Sequence, residues 1–184
     1  LPVARTFEEM LADSKLALHP VPQLDRKKPS TSFKPPGADR LRVDLLVPTD
    51  GNEVKVLAAR ELGAYATALP HFRYLLQDPV ETVVLGRSSV VPVNVPRPER
   101  LAWHKMLVSE LRQDTSDKKP KDLEQAAVLC AVLAERDPSS LHEAFRDLPA
   151  SARKKTRNAA RTVLARLEST RHERAAEIVR ELLT

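Results

Sequence analysis

A chain of 184 residues, 42% hydrophobic and 30% charged, is long enough for one large or two small domains and apolar enough to bury a core, which excludes wholesale disorder. No apolar run approaches the roughly 20 residues of a membrane helix, and the first fifteen residues carry Arg5, Glu8, Glu9, Asp13 and Lys15, so neither a membrane span nor a signal peptide is expected. The net charge of +5 admits a polyanionic partner without requiring one, and the single cysteine, Cys130, precludes an intrachain disulfide and fits a reducing, cytoplasmic setting. Cys130 stands in the apolar run 126–133 and reads as a buried small hydrophobe.

Taken in chain order, residues 4–17 read as a helix. Thr6 and Glu9 have the spacing of a capping box, and Phe7, Met10 and Leu11 begin an apolar stripe. Residues 19–40 are rich in Pro, Lys, Asp and Ser and suggest extended pieces joined by turns. Leu41-Arg42-Val43-Asp44-Leu45-Leu46-Val47-Pro48 reads as a strand closed by the turn Thr49-Asp50-Gly51-Asn52. Residues 81–86 and 89–95 read as two strands of a hairpin turning around Gly86-Arg87. Beyond Pro98 the period changes. Only Pro120, Pro138 and Pro149 of the fifteen prolines lie past residue 100. Leu123, Ala126, Ala127, Cys130, Leu133 and Ala134 fit a helical period, and similar stripes recur around Leu141, Val163 and Ile178. Four or five amphipathic helices are expected. The fold class is therefore α+β, with an α/β half over 1–96 and a helical bundle over 97–184.

The candidate functional residues are those that break these patterns. Asp44 is a carboxylate inside an apolar strand, on one face with Arg42 and Leu46. It suits either a solvated edge or a metal or phosphate site. Lys105 shares a stripe with Leu101, Val108 and Arg112 at the inner margin of its helix, where it can snorkel to solvent or contact a ligand. Asp122 follows the basic segment Lys118-Lys119-Pro120-Lys121 and precedes a helical stripe, close to a helix N-terminus, so it reads as an N-cap or dipole-stabilising residue or as a site residue. Arg153, Arg157 and Arg161 recur every four residues, with Lys154 and Lys155 beside them. On a helix this spacing makes one basic row, expected to point outward, either as a solvated face or as a contact for RNA phosphates.

Three strings, in order, carry a resemblance. Residues 41–48 are the first. Pro-Glu-Arg-Leu-Ala-Trp-His-Lys-Met-Leu-Val-Ser-Glu-Leu-Arg (98–112) and Lys-Lys-Pro-Lys-Asp-Leu-Glu-Gln-Ala (118–126) are the second and third. Together they resemble the AbiEii-type minimal nucleotidyltransferases, in which a helical lysine is followed by a Lys-Asp-Leu step opening the next helix. The resemblance covers roughly residues 30–135. It implies a partial nucleotidyltransferase-like mixed sheet followed by helices, and a reaction in which an acceptor oxygen attacks the α-phosphate of an NTP and pyrophosphate leaves. Two Mg²⁺ ions held by carboxylates would assist. Asp44, Lys105 and Asp122 become the candidate catalytic residues, converging on one cleft. Asp44 would be a metal ligand or the base-side carboxylate, Lys105 and Arg112 would bind the nucleotide, and Asp122 would orient Lys105 or the nucleotide. Arg153, Arg157 and Arg161 would meet a nucleic-acid acceptor, tRNA among the candidates.

The family's first motif, a Gly-Ser pair followed by an Asp-x-Asp strand, has no counterpart here, since no Gly-Ser pair occurs and Gly37 is the first glycine. The chain thus reads either as a fragment beginning just past that motif or as a relative that has lost its main metal-binding pair. As given, it is expected to transfer little or nothing. Two alternatives stand beside it: a non-catalytic nucleotidyltransferase-like module that binds RNA or a protein partner in an antitoxin-like or regulatory role, and a purely structural helical interaction domain.

Overall fold

The computed structural model describes residues 5–23, 28–37, 41–112 and 118–184. Ala4 and parts of the expected segment 19–40 lie outside them. The described residues are α+β, with small sheets first and helices last. The chain divides into two compact units, Leu1–Phe72 and Arg73–Thr184. The change of period near residue 96 separates strand-like from helix-like sequence, whereas the division into units falls earlier and groups the hairpin with the helices.

The first unit opens with α1 (Phe7–Asp13), shorter than the 4–17 span expected of it. Its capping box is present: the Thr6 hydroxyl accepts from the Glu9 backbone N–H at 3.2 Å, and Glu9 accepts from the Thr6 N–H at 2.7 Å. Ser14 ends the helix, and Lys15 and Ala17 take left-handed backbone. Three strands, β1 (His19–Pro20), β2 (Ser32–Lys34) and β3 (Val43–Asp44), form one antiparallel sheet in that order. A second sheet is mixed: β4 (Leu46–Thr49) runs parallel to β6 (Ala64–Pro70), which pairs antiparallel with β5 (Lys55–Ala59).

The strand expected over 41–48 is thus two strands in two sheets. Leu45 is the changeover: its N–H donates to the Thr31 carbonyl and its carbonyl accepts from the Thr67 N–H, both at 2.8 Å. Alternation of side chains could not reveal this, because both pieces keep the same extended backbone. The strands β5 and β6 are missing from the sequence reading. Alanine occupies five of their positions, Ala58, Ala59, Ala64, Ala66 and Ala68, so neither alternation nor β-branching marks them. Ala66 and Ala68 are nonetheless buried.

A short helix, α2 (Phe72–Leu76), leads to the hairpin of β7 (Val80–Leu85) and β8 (Val90–Val95) in the second unit. Five helices follow: α3 (Pro98–Leu111), α4 (Lys118–Arg136), α5 (Pro138–Arg146), α6 (Ala150–Ser169) and α7 (Glu173–Glu181). Proline at the first position starts α3 and α5, where its missing N–H costs nothing. The helices bury one continuous core in which Trp103, Met106, Leu107, Leu141 and Val163 are fully enclosed. The Trp103 indole N–H donates to the Leu141 carbonyl at 3.0 Å, and its ring meets Phe145 edge-on at 5.0 Å. Cys130 is buried as expected, which pushes its thiol pKa up to about 12 and leaves it inert. No helix among the described residues is long and apolar enough to cross a membrane.

Candidate functional site

Lys105 belongs to α3, Arg112 is the residue that caps its C-terminal end, and Asp122 belongs to α4. Lys105 and Arg112 stand seven residues apart, about two turns, and so lie along one side of α3, Arg112 at its C-terminal cap with extended backbone. Asp122 lies in the second turn of α4 rather than at its cap, because the basic segment 118–121 is itself helical. Pro120 is accommodated there because the first turn needs no N–H from it. The N-cap expectation for Asp122 is therefore corrected.

The Lys105 Nζ donates to one Asp122 oxygen at 2.8 Å, and the Arg112 Nε donates to the other at 2.8 Å. Asp122 is 4% exposed, whereas Lys105 and Arg112 keep 28% and 31% of their side chains in contact with solvent. A carboxylate so enclosed needs such partners. Burial by itself would raise its pKa; the two hydrogen bonds and the charges of Lys105 and Arg112 outweigh that and hold it below the ordinary 3.8. The cluster therefore has two cations, one ionised carboxylate and a net charge of +1. Its half-buried cationic heads keep N–H donors beyond the one each spends on Asp122. Near it, the Lys119 Nζ pairs with Glu110 at 3.1 Å across the same two helices.

Asp44 belongs to the first unit. It ends β3 opposite Ser32, whose hydroxyl donates to its carboxylate, and the Arg42 Nε donates to the same oxygen at 2.7 Å. The Arg42 guanidinium also donates to the Ser32 hydroxyl at 2.8 Å. These groups line a polar recess of about 390 Å³ together with Thr31, Leu46 and Thr67. Arg42, Asp44 and Leu46 do share this recess, as alternation suggested. Sequence reasoning missed Thr31, Ser32 and Thr67; the Ser30-Thr31-Ser32 run was the available signal for the first two.

The basic row on α6 is only partly the outward face expected. Arg153 donates to the carbonyls of Leu148 at 3.1 Å and Arg146 at 2.7 Å, at the end of α5. Arg157 donates to the Leu182 carbonyl at 3.3 Å and lies over the Phe145 ring at 5.5 Å. Both arginines satisfy carbonyls that a helix end leaves open. Arg161, Lys154 and Lys155 are exposed, and Arg161 donates to Asn158 at 3.3 Å. The row's regular spacing hid this division, because helix ends brought up by other segments are not visible in the periodicity of α6.

Two Mg²⁺ ions require several carboxylates around a shared space. Among the described residues no group of three or more His, Cys, Asp or Glu side chains stands close enough to hold an ion. Asp44 supplies one carboxylate, already engaged by Arg42 and Ser32, and by itself does not fit a two-metal centre.

A family model described as "Nucleotidyltransferase" matches residues 2–151, most of the chain, reaching into the second unit as far as the start of α6. No curated protein matches the chain, and no solved structure matches it.

Proposed function

This chain belongs to the nucleotidyltransferase family whose model spans residues 2–151, and we propose that its Lys105–Asp122–Arg112 cluster grips the triphosphate of an NTP. The family membership implies nucleotidyl transfer in general and an NTP as substrate. The observation that carries the finer reading is the buried Asp122 carboxylate holding two half-exposed cations at 2.8 Å each. That carboxylate fixes two otherwise mobile side chains, one on α3 and one at its C-terminal cap, so their order is established before a ligand arrives. Lysine offers a compact charge and arginine a planar fork, a combination suited to adjacent phosphates. Asp122 is a positioning residue here, and Lys105 and Arg112 are the phosphate contacts.

The rest of the proposal is supported by the sequence resemblance. It comprises transfer of an NMP to an RNA acceptor such as tRNA, an AbiEii-type relationship, a place in a toxin–antitoxin pair with its protein partner, and a cytoplasmic location. Lys154, Lys155 and Arg161 on the solvent side of α6 favour the RNA acceptor. The residues described do not complete a magnesium centre, so what this chain's own residues support is triphosphate binding.

Binding of a fluorescent NTP analogue to the purified chain tests this. Lys105→Gln and Arg112→Gln should each weaken binding by about tenfold, the scale of one charge-assisted hydrogen bond. Inorganic triphosphate should compete. Unchanged affinity in both variants, with the helical circular dichroism intact, would remove the cluster from the nucleotide site.

A further inference from the structure

The hairpin β7–β8 is built unlike the rest of the second unit. It is two-stranded, no described strand flanks it, and every residue from Val80 to Val95 except Val93 is exposed. Yet it is apolar: Val83 is 52% exposed, Leu85 76% and Val90 63%. An isolated two-stranded hairpin in water is marginal, and a long apolar edge invites another strand.

The ladder shows which edge is open. Gly86 donates its N–H to the Ser89 carbonyl at 2.8 Å, which makes that couple a hydrogen-bonded pair. By alternation, Val84↔Val91, Thr82↔Val93 and Val80↔Val95 also exchange bonds. Glu81, Val83 and Leu85 then turn their N–H and C=O groups outward from β7, as Val90, Pro92 and Asn94 do from β8. Pro92 sits opposite Val83, where its missing N–H faces away from the ladder. The outer edge of β8 is therefore blunted in its middle, whereas β7 keeps an unbroken row of donors and acceptors.

We propose that the chain forms a two-fold homodimer by pairing β7 antiparallel with β7 of a second copy, making a four-stranded sheet with its axis through Val83. In that register Val83 meets its own mate, and Glu81 and Leu85 exchange places across the axis, so all three outward-facing residues of each copy are bonded. No other register uses all three. A second copy is the occupant because the edge complements itself. Glu81 and Arg87 are the only charged residues between Pro79 and Val95, and they have opposite signs. With Leu85 opposite the partner's Glu81, Arg87 falls diagonally beside that carboxylate, within reach of a long side chain. Symmetry makes two such ion pairs. Valine and threonine side chains from both copies continue one sheet face across the axis. The inference is independent of the nucleotide site.

Sedimentation velocity of the full chain over a concentration series is the test. The parent chain is expected to dimerise. Val83→Pro removes one outward N–H at the axis while sparing the internal ladder, as Pro92 does across from it, and is expected to be monomeric with an unchanged helical melt. Glu81→Arg should weaken the dimer by on the order of tenfold, as two exposed ion pairs turn repulsive, and adding Arg87→Glu should restore it. Val83→Cys should crosslink to its mate under mild oxidation, because paired strands bring Cα atoms to about 5.5 Å. Val91→Cys on the far strand should not, and the native Cys130 is buried. The proposal is overturned by a parent chain that stays monomeric up to several hundred micromolar, including one whose hairpin instead binds lipid vesicles or RNA, or by a Val83→Pro chain as dimeric as its parent.

Discussion

In the second unit Trp103, Met106, Leu107, Leu141, Leu148, Val163 and Leu167 are shut away from solvent in one cluster. In the first unit the buried hydrophobics among the described residues are Phe33, Ala66 and Ala68. What replaces a core there is backbone pairing and short polar links: the two sheets joined through Leu45, the Thr31–Thr67 hydroxyl pair at 2.8 Å, and the Ser32–Asp44–Arg42 set. Area buried scales with apolar side chain, so cohesion resides in the helices, and the strand unit is held by directional bonds that each contribute little net stability. The polar recess around Asp44 therefore rests on the more weakly cored half, whereas the Lys105–Asp122–Arg112 cluster is anchored on the firm one.

The largest effect should come from breaking the helical core. Trp103→Ala removes a fully enclosed ring and orphans the Leu141 carbonyl, and should cost about 3–5 kcal/mol in chemical denaturation followed by circular dichroism. A loss below about 1 kcal/mol, no more than a surface change, would show that the cohesion has been misplaced.

Next is the buried carboxylate. Asp122→Asn leaves Lys105 and Arg112 facing each other without their counter-charge and should cost about 3 kcal/mol. The pH dependence has a definite sign. The folded pKa lies below the unfolded 3.8, so the contribution of Asp122 is complete above that value and fades as pH falls toward the lowered one. Acid titration of the parent should show that loss, and Asp122→Asn should flatten it. An identical acid profile in both chains would break the assignment.

Phe33→Ala acts on the thinner core of the first unit. Phe33 meets Phe7 edge-on at 5.1 Å in a thin core, so its loss should cost about 2 kcal/mol, released in the first unit. Hydrogen exchange should report faster opening of β2 and β6 with α3, α4 and α6 unchanged. Equal acceleration in both units would mean that they open as one.

The smallest effect belongs to Thr6→Ala, which removes one half of a capping box on an exposed helix. About 1 kcal/mol of local fraying in α1, read by exchange at Glu9, is expected.

These differences in construction also explain what could be read in advance. The helices past residue 97, the hairpin near 80–95 and the capping box of α1 each depend on neighbours a few residues away, and each stands where local pattern put it. Lys105, Arg112 and Asp122 stood out because charged residues interrupt or border apolar stripes. Packing of α4 against α3 then brings the buried Asp122 carboxylate to those cations. The alanine-rich β5 and β6 lacked any local mark, and Thr67 entered the Asp44 recess only by pairing across sheets.

The sequence by itself determined the periodicities, the caps, the lone cysteine and the charged residues that stand apart from them, because these are properties of a segment and its near neighbours. It took the fold in space to pass the chain from one sheet to another at Leu45, to turn the partly exposed Arg153 and Arg157 onto helix ends, and to give Asp122 both Lys105 and Arg112. Each of those outcomes depends on which donor and acceptor meet across long stretches of chain, and hydrogen bonds are settled by distance in space.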